Sequence, residues 1–447
     1  MNKTFPADFL WGAATSAYQI EGSPLADGAG ESIWHRFAHT PGRIAAGSHG
    51  DMACDHYRRC KDDVRLMREL GMRAYRFSIS WSRVLPEGTG RVNQAGVDFY
   101  SRLVDALLEH QIQPFITLYH WDLPAALEDR GGWADPRIID CFAEYSRTMY
   151  RALGDRVRMW STLNEPWVVS DQGYVEGQHA PGRRDRAEAA AVSKNLLRAH
   201  AASVQVGRSE GDFKIGLVVN LVPIHAATDS AADQQAAARL DAYLNRQFLD
   251  PALLGESPPE LAEMFGTGWN DWKPGEPAAV RQPIDFVGVN YYLRLVVRDD
   301  PTAGVAAARS VQQANCPHTE MGWEIYPQGF ADILKWVNDR YGDVPIYITE
   351  NGAAFNDRWN SQSVVEDRPR VEYLRSHLQA ARRAMEAGVN LRGYFVWSLL
   401  DNFEWQCGYS KRFGIVYVDF ATQQRVPKES ARFYTNMIRS NGASLDD

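Results

Sequence analysis

Thr162-Leu163-Asn164-Glu165-Pro166 and Ile348-Thr349-Glu350-Asn351-Gly352 decide the fold. Each ends a short apolar run on a glutamate: Met159-Trp160-Ser161-Thr162-Leu163 before the first, Pro345-Ile346-Tyr347-Ile348-Thr349 before the second. Runs this short, rich in β-branched and aromatic residues, read as buried strands. The Pro or Gly just beyond stops each strand. Two such strands in one sheet would bring two distant carboxylates to the same edge.

Working outward, the same grammar repeats. Phe9–Thr15 reads as a first strand, Ala74–Ile79 as a second and Pro114–His120 as a third. The Trp160 run is the fourth. Ile215–Asn220 and Ile284–Asn290 follow, then the run ending at Glu350, then Leu391–Trp397. Between them lie stretches with a 3.6-residue apolar period. Asp51–Leu70 carries Val64, Met67 and Leu70 near one face and stops at Gly71, as a left-handed C-terminal cap would. Asn93 reads as the N-cap of a helix carrying Val97, Tyr100, Leu103 and Leu107. Pro136 opens a helix with Ile139, Phe142, Tyr145 and Met149 inward. Further helices are expected over about 186–206, 231–249, 328–340, 370–387 and 429–440. The segments 255–282 and 299–321 show no period and read as irregular. No repeat, low-complexity tract or interdomain linker is evident.

Eight strands, each followed by a helix, predict one closed (β/α)8 TIM barrel spanning 1–447, with elaborated βα loops. A doubly wound open sheet is the alternative, but it usually shows a Gly-rich phosphate turn after its first strand, and Gly12-Ala13-Ala14 is not a GxGxxG. In a barrel the chemistry gathers at the C-terminal ends of the strands. Those ends carry Arg76, His120, Asn164, Glu165, Asn220, Asn290, Tyr291, Tyr292, Glu350 and Trp397, with Gln19 just beyond the first. A purely structural account does not require so many polar groups on one face.

The composition narrows the classes. A net charge of −8 argues against a nucleic-acid partner. No apolar run approaches the ~20 residues of a membrane helix. The stretch Met1–Asp8 lacks the apolar core of a signal peptide. The five cysteines are scattered and form no CxxC pair, which suits free thiols in a reducing cytoplasm. There is no HExxH, no EF-hand loop and no Cys/His cluster. His120 and Asp122 are a conceivable chelating pair, but no catalytic metal or cofactor is expected.

Paired carboxylates suit glycoside hydrolysis. At about 5–5.5 Å apart one attacks the anomeric carbon and the other protonates the leaving oxygen. At about 6.5–9.5 Å a water fits between them and the configuration inverts. The sequence does not choose between these distances. Arg76, ending a strand beside one glutamate, would hold that carboxylate ionised.

Six motifs in order resemble those of the family 1 glycoside hydrolases. They are the two quoted above, Phe9–Gly22, Tyr75–Arg83, Tyr119–Pro124, and Trp397–Trp405 continuing into Gly408–Gly414. The resemblance implies a retaining β-glycosidase acting on terminal β-D-glucosyl residues, with Glu165 as acid/base and Glu350 as nucleophile. It implies that Asn164 contacts the sugar 2-hydroxyl, and that Tyr292 and Arg76 support the nucleophile. Gln19, His120, Glu404 and Trp405 would bind the remaining hydroxyls. Trp397 would form a stacking floor and Trp323 a wall for the leaving group; Trp121 and Phe413 lie in the matched motifs and join the predicted sugar-binding set. Expected partners are small β-glucosides, oligosaccharides and product glucose. A 6-phospho-glycosidase is the near alternative; Glu404 would repel a phosphate, whereas Lys411 stands close in sequence. A sugar-binding protein that has lost catalysis is the other alternative, against which both glutamates count. Asp122, Arg83, Asp401 and Asn402 read as structural.

Overall fold

Eight parallel strands close on themselves. The computed structural model describes residues 4–270, 272, 275–359 and 364–446. Met1–Lys3 of the stretch read for a leader, and part of the 255–282 segment, lie outside the described residues. The barrel strands are β1 (Leu10–Ala14), β2 (Ala74–Ser78), β3 (Gln113–Tyr119), β4 (Met159–Asn164), β5 (Lys214–Asn220), β6 (Phe286–Tyr291), β7 (Ile346–Asn351) and β8 (Leu391–Trp397). Each pairs with its neighbour in sequence, and β8 closes onto β1 with Ala14 opposite Trp397. Closure leaves no barrel edge unpaired. The register sets Glu350 of β7 opposite Asn290 of β6, and Asn290 opposite Asn220 of β5.

The outer helices follow the apolar period. They are α1 (His56–Glu69), α2 (Gln94–Glu109), α3 (Ile138–Leu153), α4 (Arg186–Glu210), α5 (Ala231–Asp241), α6 (Pro327–Tyr341), α7 (Arg368–Glu386) and α8 (Glu429–Ser440). Gly71 has φ +79°, and the Met72 amide reaches back to the Met67 carbonyl, so α1 ends in the expected cap. On α3 it is Ile138, with Phe142, Tyr145 and Met149, that is fully buried; Ile139 is half-buried. Asn93 occupies the N-cap of α2, but its amide does not cap. It donates instead to the Arg83 and Asp27 carbonyls and ties two loops together.

Inside the barrel, Phe115, Phe286 and Phe395 pack edge to face, with ring centroids 5.4 and 5.5 Å apart from Phe115. Glycines make the room: a Cβ on Gly12 would lie 2.6 Å from the Phe395 ring, and one on Gly216 2.3 Å from Phe286. Each buried ring contributes roughly 1.5–3 kcal/mol. This plug closes the barrel below the strand ends.

Two segments are more regular than their sequence suggests. The 299–321 stretch contains a strand, Ala308–Ser310, antiparallel to Leu295–Asp299, which also pairs with Ile224–Ala226. The 255–282 stretch holds the short helices Pro259–Phe265, Thr267–Asn270 and Glu276–Val280. Among the described residues, no helix is long and apolar enough to cross a membrane.

Candidate active site

The C-terminal ends of the strands open into a cavity of about 550 Å³. Both glutamates line it, as do His120, Trp121, Tyr292, Trp323, Trp397, Glu404, Trp405 and Phe413. Arg76, Asn164 and Gln19 stand behind this wall, each with no solvent exposure. The expected site residues are therefore brought together in two layers.

The two glutamates are wired differently. On β7, Glu350 accepts from Arg76 Nη1 at 2.7 Å and from the Tyr292 hydroxyl at 2.6 Å. Beyond β4, Glu165 accepts from Asn290 Nδ2 at 2.7 Å. Burial raises the pKa of both carboxyl groups. At Glu350 the Arg76 charge and the Tyr292 hydrogen bond oppose that rise. At Glu165 the Glu350 charge adds to it and pushes it up to about 8. The wiring favours the charged form at Glu350 over Glu165.

Glu165 has φ +46°, a left-handed backbone, and Pro166 immediately starts the helix Pro166–Tyr174. The proline fixes the first helical turn and lacks the N–H that would have gone unpaired there. Trp121 and Trp405 also have positive φ, +71° and +45°. A non-glycine residue held there costs about 1–3 kcal/mol, which packing around the mouth must offset.

Arg76 organises a second chain of contacts. Its Nη2 donates to Asn164 Oδ1 at 2.7 Å, and Asn290 Nδ2 donates to the same oxygen at 3.1 Å. Two donors on one atom fix that atom as the oxygen. Asn164 Nδ2 therefore donates to His120 Nε2, at 3.1 Å. His120 is held neutral, its pKa pushed far down by burial and by Arg76. Its Nε2 is then the lone-pair nitrogen, and its Nδ1 carries the hydrogen. That Nδ1 is buried and makes no hydrogen bond among the described residues. A donor is thus presented beside Trp397, whose ring stacks on His120 at 5.9 Å.

Gln19 accepts from Ser16, and its Nε2 lies within reach of the Phe403 carbonyl, Asn402 Oδ1 and Glu404 Oε2. In this arrangement it positions Glu404. Burial and the Glu350 charge push Glu404 up to about 8. Trp405 packs on Trp121 at 4.6 Å, and Trp323 on Tyr292 at 5.3 Å, with Phe413 behind both Tyr292 and Trp323. Arg83 pairs with buried Glu21, and Asp401 with Lys428 and Arg412, away from the cavity wall. Lys411 Nζ is held on the Glu320 carbonyl and does not line the cavity.

Asn290 is the residue whose part here the sequence reading missed. It was legible as a strand-end polar group, but its role depends on the register that sets it between Asn164 and Thr349. Outside the inner pocket, Trp167, His179, Asn220 and Leu244 also line the cavity and carry no motif of their own. Among the described residues, no group with metal-ligand spacing lies in the cavity.

Comparison with known proteins agrees with this geometry. The model for glycosyl hydrolase family 1 matches residues 1–443. The chain is 51% identical over 442 residues to β-glucosidase A of Thermotoga maritima, covering 98% of this chain and 99% of that protein. It is 52% identical over 442 residues to a 1,4-β-D-glucan glucohydrolase of Thermotoga neapolitana, with the same coverage. A solved Thermotoga maritima β-glucosidase in complex with glucoimidazole superposes with a TM-score of 0.95, over 98% of this chain and 99% of that one. With whole-length identity, superposition and a barrel mouth holding two buried glutamates, the chain belongs to glycosyl hydrolase family 1.

Proposed function

We propose that the whole chain is one retaining β-glucosidase domain and that Glu350 is its nucleophile. The single observation that carries the assignment is the unequal wiring of the pair: Arg76 and Tyr292 on Glu350, and, among the described residues, Asn290 alone on a Glu165 pushed up to about 8. Glu350 attacks the anomeric carbon as the bond to the leaving oxygen breaks. Glu165 gives its proton to that oxygen. The glycosyl-enzyme ester then yields to water, whose proton returns to Glu165 as the new bond forms, and the β configuration is kept. Asn164, behind the wall, acts through its neighbours, holding His120 and Arg76 in place. His120, Glu404 and Trp405 bind the other hydroxyls, Trp397 takes the apolar ring face and Trp323 the leaving group.

Substrates are aryl and alkyl β-D-glucosides and cello-oligosaccharides. The glucan glucohydrolase relative supports the second class. A phosphorylated sugar is disfavoured, because a carboxyl group occupies the inner wall and Lys411 is engaged elsewhere. The five cysteines are unpaired, which supports a reducing, cytoplasmic setting.

A proton NMR time course with an aryl β-D-glucoside tests the reading. β-Glucose should appear first, the α anomer following by mutarotation. α-Glucose appearing first would make Glu350 a base and overturn the double displacement. Efficient turnover of the 6-phosphate alone would overturn the sugar assignment.

A further inference from the structure

The structure assigns a second, non-catalytic site: a surface site for a borderline divalent transition cation of the zinc class, formed by His35, His39 and Asp51 with His49 in reach. His35 and His39 lie one turn apart, on and just after the helix Ile33–Ala38. Asp51 comes from the following loop. One ligand atom from each of these three lies within 4.8 Å of the others. Around one carboxylate, His39 Nε2 is 3.2 Å from Asp51 Oδ2, His49 Nδ1 3.4 Å from the same oxygen, and His35 Nε2 3.8 Å from Oδ1. In a tetrahedral zinc site with bonds of about 2.0–2.1 Å, adjacent ligand atoms stand roughly 3.3 Å apart. The cluster brackets that spacing.

A second observation points the lone pairs inward. His39 Nδ1 lies 2.8 Å from the His35 carbonyl oxygen. A carbonyl only accepts, so Nδ1 carries the hydrogen. In the neutral ring Nε2 then turns its lone pair to the Asp51 carboxylate, 3.2 Å away, where a proton or a metal cation joins the two. An imidazole whose other nitrogen donates to a backbone carbonyl is also how metal-bound histidines are held. Asp51 Oδ1 is a buried atom with no hydrogen bond among the described residues, and His35 Nδ1 faces Glu31 Oε1 at 3.5 Å, which leaves Nε2 for the ion. Imidazole nitrogens with one carboxylate select zinc, copper or nickel over calcium or magnesium, which prefer all-oxygen sites.

The site is joined to the pocket wall without belonging to it. Trp34, beside His35, packs on Trp405 at 4.4 Å. The His49 carbonyl accepts from the Tyr409 hydroxyl at 2.8 Å. A bound cation would therefore clamp the helix to the 45–51 loop, two supports of the segment that carries Trp405.

Tag-free, chelator-treated protein titrated with zinc chloride by calorimetry should bind one ion per chain, and zinc should raise the melting temperature. Cobalt(II) in the same site should give the intense visible bands of a four-coordinate ion. His39→Ala and Asp51→Asn should each weaken zinc binding about tenfold or more. His110→Ala, remote from the cluster, should not. All three variants should still hydrolyse an aryl glucoside, which shows that they fold. Absence of saturable zinc binding would overturn the site, as would binding untouched by the His39 and Asp51 substitutions.

Discussion

Arg76 Nη1 lies 2.7 Å from Glu350 Oε1, and neither side chain has appreciable contact with solvent. Arg76 comes from β2 and Glu350 from β7, so the contact crosses the barrel mouth. The same guanidinium reaches Asn164 on β4. One planar fork thus sets the charge of one glutamate and the orientation of the amide beside the other.

Replacing that fork should cost catalysis more than binding. Arg76→Lys keeps the charge but offers a point donor that cannot serve both partners. We expect kcat to fall about a hundredfold or more with a smaller change in KM. Arg76→Met leaves a buried carboxylate unpaired and should destabilise the fold by about 3–5 kcal/mol. Steady-state kinetics and thermal melts read both. A Lys variant within about threefold of wild-type kcat would show that the fork is not needed.

The roles of the two glutamates separate under azide. Glu165→Ala should lose about 10²–10⁴-fold on poor leaving groups but still form the glycosyl-enzyme from an activated aryl glucoside. Azide, needing no base, should then attack the intermediate and give the β-glucosyl azide. Glu350→Ala should instead take azide on the opposite face and give the α-azide. Product stereochemistry by NMR decides the matter, and exchanged outcomes would reverse the two assignments.

Much of this was legible in the sequence because local and global signals agree. Thr162–Pro166 and Ile348–Gly352 each state a strand, its end and a carboxylate within five residues. What escaped has physical causes. Ala308–Ser310 is too short to show alternation, and its pairing with Leu295–Asp299 is tertiary. The helices within 259–280 span a turn or two and display no full apolar period. Asn93 carries the chemistry of a cap, but its amide is taken by carbonyls from other loops. Gln19 and Asn164 read as sugar contacts, yet both stand behind the wall, because sequence gives the strand end but not the depth of the side chain.

Gly352 should tolerate no side chain. A Cβ there would lie 1.7 Å from the Trp397 carbonyl oxygen. The neighbouring peptide, Trp397–Ser398, is cis. Backbone cannot yield as a flexible side chain does, so Gly352→Ala must push β7 away from the end of β8. Glu350 lies two residues before and Trp397 is the expected sugar floor, so one shift disturbs both. We expect a lower melting temperature, by about 1–3 kcal/mol of stability, together with a fall in kcat. A variant with wild-type melting and kinetics would mean that the contact relaxes freely.

The pH behaviour follows from the sign of the carboxyl shifts. As the proposed acid, Glu165 must be protonated, and its pKa is pushed up to about 8 by burial and by the Glu350 charge. kcat/KM should therefore fall as pH rises through that region. Glu350→Gln removes the charge but keeps the burial, so the Glu165 pKa should drop while staying above the ordinary carboxylate range. Infrared or carbon NMR titration of labelled glutamate reads this without turnover. Glu404 supplies the matching stability test, since it too is pushed up to about 8. A carboxyl group whose folded pKa is raised favours the fold fully only below its unfolded value. That contribution is lost as pH rises toward the folded pKa. Glu404→Gln has no charge to bury, so its melting temperature relative to wild type should rise between about pH 5 and about pH 8. A difference that stays constant across that window would show that Glu404 does not titrate within it.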